Sequence, residues 1–156
     1  MGICLGADLD QTFTSLDEGK TPGLGDVFWG TGGKVYKFVQ YDAGTAAVAG
    51  VAGEVTYYNG TGAYGTFIVT SDVSDTNGVG AGVLQAAAAD QEYCWVQIKG
   101  PATLSIALTA GANGDSLTPT GAGDGTLDLA TAAETDHICA QVDDAATNKI
   151  VCDFPW

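Results

Sequence analysis

Arginine is absent from this 156-residue chain, and the other cations do not compensate for its absence. Five lysines stand against 19 aspartates and glutamates, which gives a formal net charge of −14 at pH 7. Proteins bind phosphate groups through Lys and Arg that displace counterions, and bidentate recognition of guanine depends above all on Arg. The sequence therefore predicts no nucleic acid among the partners. It indicates an acidic surface that keeps the protein soluble through mutual repulsion.

Long apolar runs are missing as well. No stretch approaches the ~20 apolar residues that a membrane-spanning helix needs. The N-terminus also lacks the basic start and apolar centre of a secretory signal. We therefore expect a soluble protein that is made in a cytosol and has no membrane partner. A length of 156 residues suits one domain, which at this size buries about 68–70% of its unfolded surface.

Catalytic and metal-binding groups are scarce. His137 is the single histidine, and it stands beside Asp136 before a strand-like run, so we expect a surface or strand-edge residue. The aspartates lie mostly in turns, whose backbone geometry they favour. Neither Thr120–Asp128 nor Asp75–Gly78 repeats or spaces its ligands as calcium sites do. We predict that the protein is not an enzyme and has no catalytic, cofactor-binding or metal-binding residues.

The four cysteines also lack a chemical pattern. They stand at Cys4, Cys94, Cys139 and Cys152, and no two are spaced as a C-x-x-C zinc or redox pair. Three of them fall inside strand-like runs, where a thiol behaves as a small apolar side chain. Buried free thiols are the favoured interpretation, and a bridge between Cys139 and Cys152 stays open.

Glycine and short alternating runs are abundant. The 23 glycines gather in turn clusters such as Gly32-Gly33 and Asn113-Gly114, and short runs that favour strands lie between such clusters. Many short strands with glycine-rich turns are typical of a barrel or sandwich. We predict an all-β fold, either a small β-barrel or a β-sandwich of short antiparallel strands, with Gln85–Glu92 as a loop or single turn. The runs are VFWG, KVYKFVQY, EVTYY, GTFIVTS, GVGAGVL, SLTP, GTLDLA, HICAQV and KIVCDF.

The run from Glu92 to Ala110 predicts a hairpin. In its first half, Cys94, Val96 and Ile98 alternate with Tyr93, Trp95, Gln97 and Lys99, and a second alternation follows from Leu104. Because a strand repeats every two residues, each half should bury one face and expose the other to water. Glycine and proline are turn-forming residues, so Gly100-Pro101 is the expected turn.

The first 26 residues show neither a helical nor a strand period. We predict an extended N-terminal arm over residues 1–26 and a single β-domain over residues 27–156, which should stay folded when the arm is deleted. At ~3.3–3.6 Å per residue the arm could span on the order of 85 Å and reach a neighbouring subunit. Aromatic and large apolar residues favour interfaces, and the candidate subunit contacts are Phe13, Leu16, Trp29 and Trp156.

Four segments resemble the capsid decoration (cement) proteins of tailed bacteriophages. GTGGKVYKFVQYDAGTAAVAGVAGEVTYY resembles the opening strands of these proteins, and GAGVLQAAAADQEYCWVQIKGPATL resembles a hairpin that is frequent in small phage head proteins. GDSLTPTGAGDGTLDLA and HICAQVDDAATNKIVCDFPW resemble the later loop and the closing strands. The resemblance covers roughly residues 27–156 and leaves out the arm.

This resemblance implies a viral structural protein of the virion. Such a protein binds the outer surface of an icosahedral shell as a homo-oligomer, a trimer at threefold or quasi-threefold positions. It clamps neighbouring subunits of the major capsid protein. It would be assembled in the host cytoplasm. The glycine-rich tracts match no phosphate-binding loop, so we expect no cofactor.

Two alternatives stay open. The protein could be another phage component, such as a head–tail connector, tail tube or head fibre. It could also be a carbohydrate-binding β-sandwich that uses exposed Trp and Tyr as sugar platforms. A tail-tube protein would form tubes by itself, and a carbohydrate-binding module would lose glycan binding when Trp29, Trp95 or Trp156 is replaced.

Overall fold

The computed structural model describes residues 6–45, 49–60, 66–132 and 135–155, and the regular structure in these ranges is β-strand apart from two short 3₁₀ turns. The turns lie at Val73–Asp75 and Ala145–Thr147. The strands are β1 (Val27–Trp29), β2 (Val35–Tyr41), β3 (Val55–Asn59), β4 (Ile68–Thr70), β5 (Thr76–Leu84), β6 (Tyr93–Thr103), β7 (Ser116–Thr118), β8 (Asp128–Leu129), β9 (Ala140–Asp144) and β10 (Lys149–Asp153).

Five of the strands close into a barrel. Around its circumference the order is β2, β4, β3, β5 and β6, and β6 pairs with β2 to complete the ring. Neighbours run antiparallel except β2 and β4, which run parallel. The predicted all-β fold is confirmed, and the chain adopts the barrel rather than the sandwich. Closure gives each of these strands a partner on both sides, which removes exposed sheet edges.

β6 is long enough to belong to a second sheet as well. Its first part pairs with β2 and β5, and its last five residues pair with β10. From β10 the sheet continues through β9 and β7 to β8, while β1 pairs with β2. The barrel and the second sheet therefore share one continuous strand.

The apolar core extends through both parts of the fold. On β2 and β6, apolar residues at alternate positions enter a single buried cluster that includes Val39, Val96 and Ile98. The same cluster contains Leu117 of β7 and Ile150 of β10. The period-two alternation of the sequence is thus the direct cause of which side chains form the core.

Gly100 and Pro101 do not turn the chain, so the predicted hairpin is wrong. β6 runs through both residues, and β10 lies opposite them. Gly100 has a φ of 85°, and a Cβ there would lie 2.7 Å from the carbonyl oxygen of Gly33. This glycine allows a close approach between β6 and the turn before β2, and residues 104–110 form no strand.

The expectation that one face of this run would be exposed to water is also wrong. Trp95 and Gln97 are both buried. The Gln97 amide nitrogen donates to the carbonyl oxygens of Lys99 and Pro101, at 3.0 and 2.9 Å. The other nine predicted strand runs each overlap an observed strand. Gln85–Glu92 forms bends and turns with one bridge residue and no helix.

Candidate functional site

The described part of the N-terminal arm, residues 6–26, is folded onto its own barrel. It covers the outward faces of β2 and β6, where Tyr36, Phe38 and Trp95 form a buried aromatic cluster. Arm residues that pack against this cluster include Leu9 and Phe13. β2 and β6 are consequently buried on both faces, by the main core on one side and by the arm on the other.

Two pairs of backbone hydrogen bonds hold the arm, one near its midpoint at Phe13 and one at its C-terminal end. The Phe13 N–H donates to the Tyr93 carbonyl at 2.9 Å, and the Tyr93 N–H donates to the Phe13 carbonyl at 2.8 Å. Farther along, the Gly25 N–H donates to the Phe38 carbonyl at 2.8 Å, and the Phe38 N–H donates to Asp26 at 2.9 Å. The rings of Phe13 and Phe38 meet edge-to-face with centroids 5.8 Å apart. Such aromatic pairs contribute about 0.5–1.5 kcal/mol.

Between these contacts the arm stands away from the barrel. A turn is closed by the Lys20 N–H donating to the Asp17 carbonyl at 2.9 Å and by the Asp17 N–H donating to Thr21 Oγ1 at 3.0 Å. An open cavity of about 390 Å³ separates this part of the arm from Trp95. The arm is therefore tied to the barrel at Phe13 and at its C-terminal end, and it is loosely packed between these two points.

The candidate contact residues fall in different environments. Phe13 is partly buried against Phe38 of its own barrel. Leu16 in the arm is 41% exposed and Trp29 at the end of β1 is 58% exposed. Trp156 lies outside the described residues. Leu16 and Trp29 are thus the two that offer apolar surface to a partner, and their role as subunit contacts stays a prediction.

Lys37 is a fully buried cation on β2. It lies on the same strand face as Val39, and its exposed fraction is 0%. Its Nζ donates to Tyr58 Oη at 2.9 Å and to the Pro155 carbonyl at 3.2 Å, and it lies 5.9 Å from the centre of the Phe67 ring. Burial lowers the pKa of Lys37 to about 8. The period-two pattern placed Lys37 with the apolar residues of β2, which is the signal by which its burial could have been predicted.

A small acidic cavity lies at one side of the barrel. Its volume is about 80 Å³, and it is lined by Tyr41, Ala43, Glu54, Ser71, Asp72, Ile106, Asp124 and Gly125. Burial raises the pKa of Tyr41, and the nearby Glu54 carboxylate raises it further. Sequence reasoning missed this site because five separate segments of the chain build it. No local motif in any one segment points to it.

The cysteine prediction is confirmed for three of the four thiols. Cys94, Cys139 and Cys152 are buried and free, and Cys4 lies outside the described residues. Burial raises the pKa of Cys94 and of Cys152 to about 12, and it raises the pKa of Cys139 as well. Thiols held protonated in this way are weak nucleophiles at neutral pH.

The remaining polar candidates do not converge. His137 is half-buried just before β9, and its Nδ1 has no hydrogen-bond partner among the described residues. Asp75 binds Thr45 through both carboxylate oxygens, and Asp124 accepts a hydrogen bond from the Val73 N–H at 3.0 Å. Within the described ranges, no three His, Cys, Asp or Glu side chains come together as a metal site would require. These carboxylates organise turns.

In the part of the chain that the structure describes, no helix has the length and apolar character needed to cross a membrane. Comparison with protein-family models, with curated proteins and with solved structures gives no match to this chain.

Proposed function

We propose that this protein is a non-enzymatic decoration protein of a tailed-phage capsid. It binds the outer surface of the shell that the major capsid protein forms, as a homotrimer, and holds neighbouring shell subunits together. The proposal begins from the four sequence segments that resemble such proteins. The proposed position of the chain is the outside of the virion.

The observation that carries the proposal is the arm on the barrel. The arm is tied down at Phe13 and at Gly25 and is loosely packed between them. Leu16, in the loosely packed part, is exposed, and Trp29 is exposed just after the arm ends. Large apolar side chains at the rim of a rigid domain are suitable anchors for docking. The loose middle of the arm allows it to adjust to a shell without unfolding the barrel.

Charge supports an outer position. The net charge is −14, and one of the five lysines, Lys37, is buried and contributes nothing to the surface. A strongly acidic surface repels packaged DNA. The outside of a shell is the position where this repulsion is absent.

Co-sedimentation with undecorated shells tests the proposal. Replacing Leu16 and Trp29 together by serine should weaken binding by about thirtyfold or more, since an interface hot spot is worth at least ~2 kcal/mol. Val151→Ser is the matched control, because Val151 is 45% exposed on β10 and its loss should leave binding unchanged. Apolar anchoring should also persist in 1 M salt, where the Debye length is only about 3 Å.

Equal sedimentation of the double variant and the native chain would contradict this docking surface. Point variants are the better test than deletion of residues 1–26. Deletion uncovers Tyr36, Phe38 and Trp95, which the arm now covers. The expectation that the domain tolerates this deletion therefore has to allow for a newly exposed aromatic surface, which promotes aggregation.

One observation favours a second candidate, a carbohydrate-binding module. Trp29 is 58% exposed, as a sugar-stacking platform would be. Glycan binding that Trp29→Ala abolishes and Val151→Ala leaves intact would favour this candidate over shell binding. Spontaneous formation of tubes by the purified protein would instead favour a tail component.

A further inference from the structure

The acidic cavity beside Tyr41 has walls that are fixed before any ligand arrives. Tyr57 Oη accepts a hydrogen bond from the Thr126 N–H at 3.0 Å and donates to the Thr126 carbonyl. The Gly125 N–H donates to the Ser71 carbonyl at 2.9 Å, and the Gly125 carbonyl accepts from the Val55 N–H at 2.8 Å. The loop that carries Asp124 is thus tied to β3 and to the segment after β4. A pre-formed cavity loses little entropy when it binds a ligand.

The cavity gathers negative charge without a matching cation. Glu54, Asp72 and Asp124 all line it, and no Lys or His is among the described lining residues. Among the described residues, the Glu54 carboxylate has no hydrogen-bond or ion-pair partner, whereas Asp124 accepts one hydrogen bond from the Val73 N–H at 3.0 Å. Three carboxylates around one cavity give it a negative potential. Such a potential attracts a cation.

Ser71 supplies an independent sign of a missing ligand. It lines the cavity and is 7% exposed, and its Oγ has no partner with hydrogen-bond geometry. Burial raises the pKa of Tyr41, and the nearby Ser71 hydroxyl offsets part of that rise, although Ser71 Oγ does not reach hydrogen-bond geometry. A buried hydroxyl without a partner destabilises the fold. A donor placed in the cavity would satisfy it.

The lining selects among cations. The described carboxylates do not converge closely enough to hold a metal ion, so the cation has to bring its own N–H donors to acceptors that are spread apart. Tyr41, Ala43 and Ile106 provide apolar walls beside the charges, which suits methylene groups. A volume of about 80 Å³ accommodates an ammonium group and the first carbons of a chain, since one water takes up about 30 Å³ of liquid.

We propose that this cavity binds a terminal alkylammonium group, with Glu54, Asp124 and the Ser71 hydroxyl as its acceptors. The group has two possible sources, a free polyamine or the side chain of a lysine on another protein. The inference stands independently of the shell-binding proposal. It also differs in place, because the residues that line the cavity include neither Leu16 nor Trp29.

Titration of the full-length protein followed by amide NMR tests the inference. Added 1,4-diaminobutane should shift the amide signals of Ser71 and Gly125 in a saturable way. Tetramethylammonium carries the same type of charge without N–H donors and should not. Nα-acetyl-lysine N-methylamide distinguishes the sources: binding of this probe admits a lysine side chain, and binding of the diamine alone restricts the site to free amines. If neither the diamine nor the lysine derivative causes saturable shifts, the proposal is overturned.

Amino-acid variants test whether the diamine binds in the cavity. Glu54→Gln should weaken diamine binding by about tenfold or more, because a hydrogen bond to a charged group contributes about 1.5–3 kcal/mol. Ser71→Ala should weaken it by a smaller factor while leaving the fold stable, since it removes an unpaired hydroxyl. Glu18→Gln makes the same charge change at an exposed arm residue and should leave binding unchanged. If Glu18→Gln weakens binding as much as Glu54→Gln, the attraction is general and the cavity is not the site.

Discussion

At the scale of single residues, the Lys37 ammonium is held away from water between Tyr58 and the Pro155 carbonyl. Two neutral acceptors do not compensate for the lost hydration of a full charge. This explains why its pKa is lowered to about 8. The native fold therefore carries a pH-dependent penalty at this position.

The sign of that dependence follows from the two protonation states. Below pH 8 Lys37 is charged in folded and unfolded chains alike, so the penalty is constant. Between about pH 8 and 10.5 the folded chain has released the proton while the unfolded chain keeps it, and stability from this residue rises with pH. We expect Lys37→Met to be more stable than the native chain at pH 7, and its advantage to shrink by about 2–3 kcal/mol by pH 10.

Urea unfolding of both chains at pH 7, 8.5 and 10 measures this difference. The buried thiols change stability in the opposite direction over this range, but their contribution cancels between the two chains. Lys149→Met, at an exposed position, is the control and should show no such trend. A difference between the native chain and Lys37→Met that is independent of pH would contradict the burial of a charged amine.

The raised thiol pKa values lead to a second prediction. Cys94, Cys139 and Cys152 should react with iodoacetamide at pH 8 on the order of a hundredfold more slowly in the native protein than in urea, because they must first be exposed by opening of the fold. Peptide mass mapping at successive times gives the three rates separately. Native rates equal to those in urea would show that the thiols are accessible.

At the scale of elements, the passage of β6 through Gly100 depends on the absence of a side chain. Gly100→Ala should destabilise the protein by about 1–3 kcal/mol beyond the ordinary cost of a left-handed backbone, because the new Cβ meets the Gly33 carbonyl. Gly114→Ala is the matched control. Gly114 has a φ of 90° and open space around it. Its alanine variant should therefore be less stable by only ~1–2 kcal/mol, the cost of the left-handed backbone. Thermal unfolding of the two variants compares them directly, and equal losses would contradict the clash.

The alternation of apolar residues was enough to locate nine of the strands, because period two directly reflects which residues face a core. It could not show that Gly100-Pro101 continues a strand, since the same residue types serve turns and tight approaches. Nor could it show that Trp95 is covered, because the cover comes from the arm about eighty positions earlier. The acidic cavity was unpredictable for the same reason: Glu54, Ser71 and Asp124 meet only after the barrel closes.

At the scale of the whole molecule, the barrel and the second sheet share β6 and a continuous core. We therefore expect them to unfold as one unit. Ile150→Ala, in a fully buried position of β10, should lower the free energy of unfolding by about 2–5 kcal/mol. Hydrogen exchange should show the amides of β3, in the barrel, losing protection together with those of β9. Loss confined to β9 would indicate two separate units.

The ring closure between β2 and β6 also determines how fast this chain reaches its fold. Phe38 pairs with Trp95, more than a third of the chain away, and no shorter path completes the barrel. Contacts between distant segments form only after large loops have closed, and closing these loops costs conformational entropy. Proteins dominated by such contacts fold in milliseconds to seconds rather than microseconds. During synthesis, β2 to β5 must wait for β6 to emerge. Until then their exposed edges are the part of the molecule most open to mispairing with another copy.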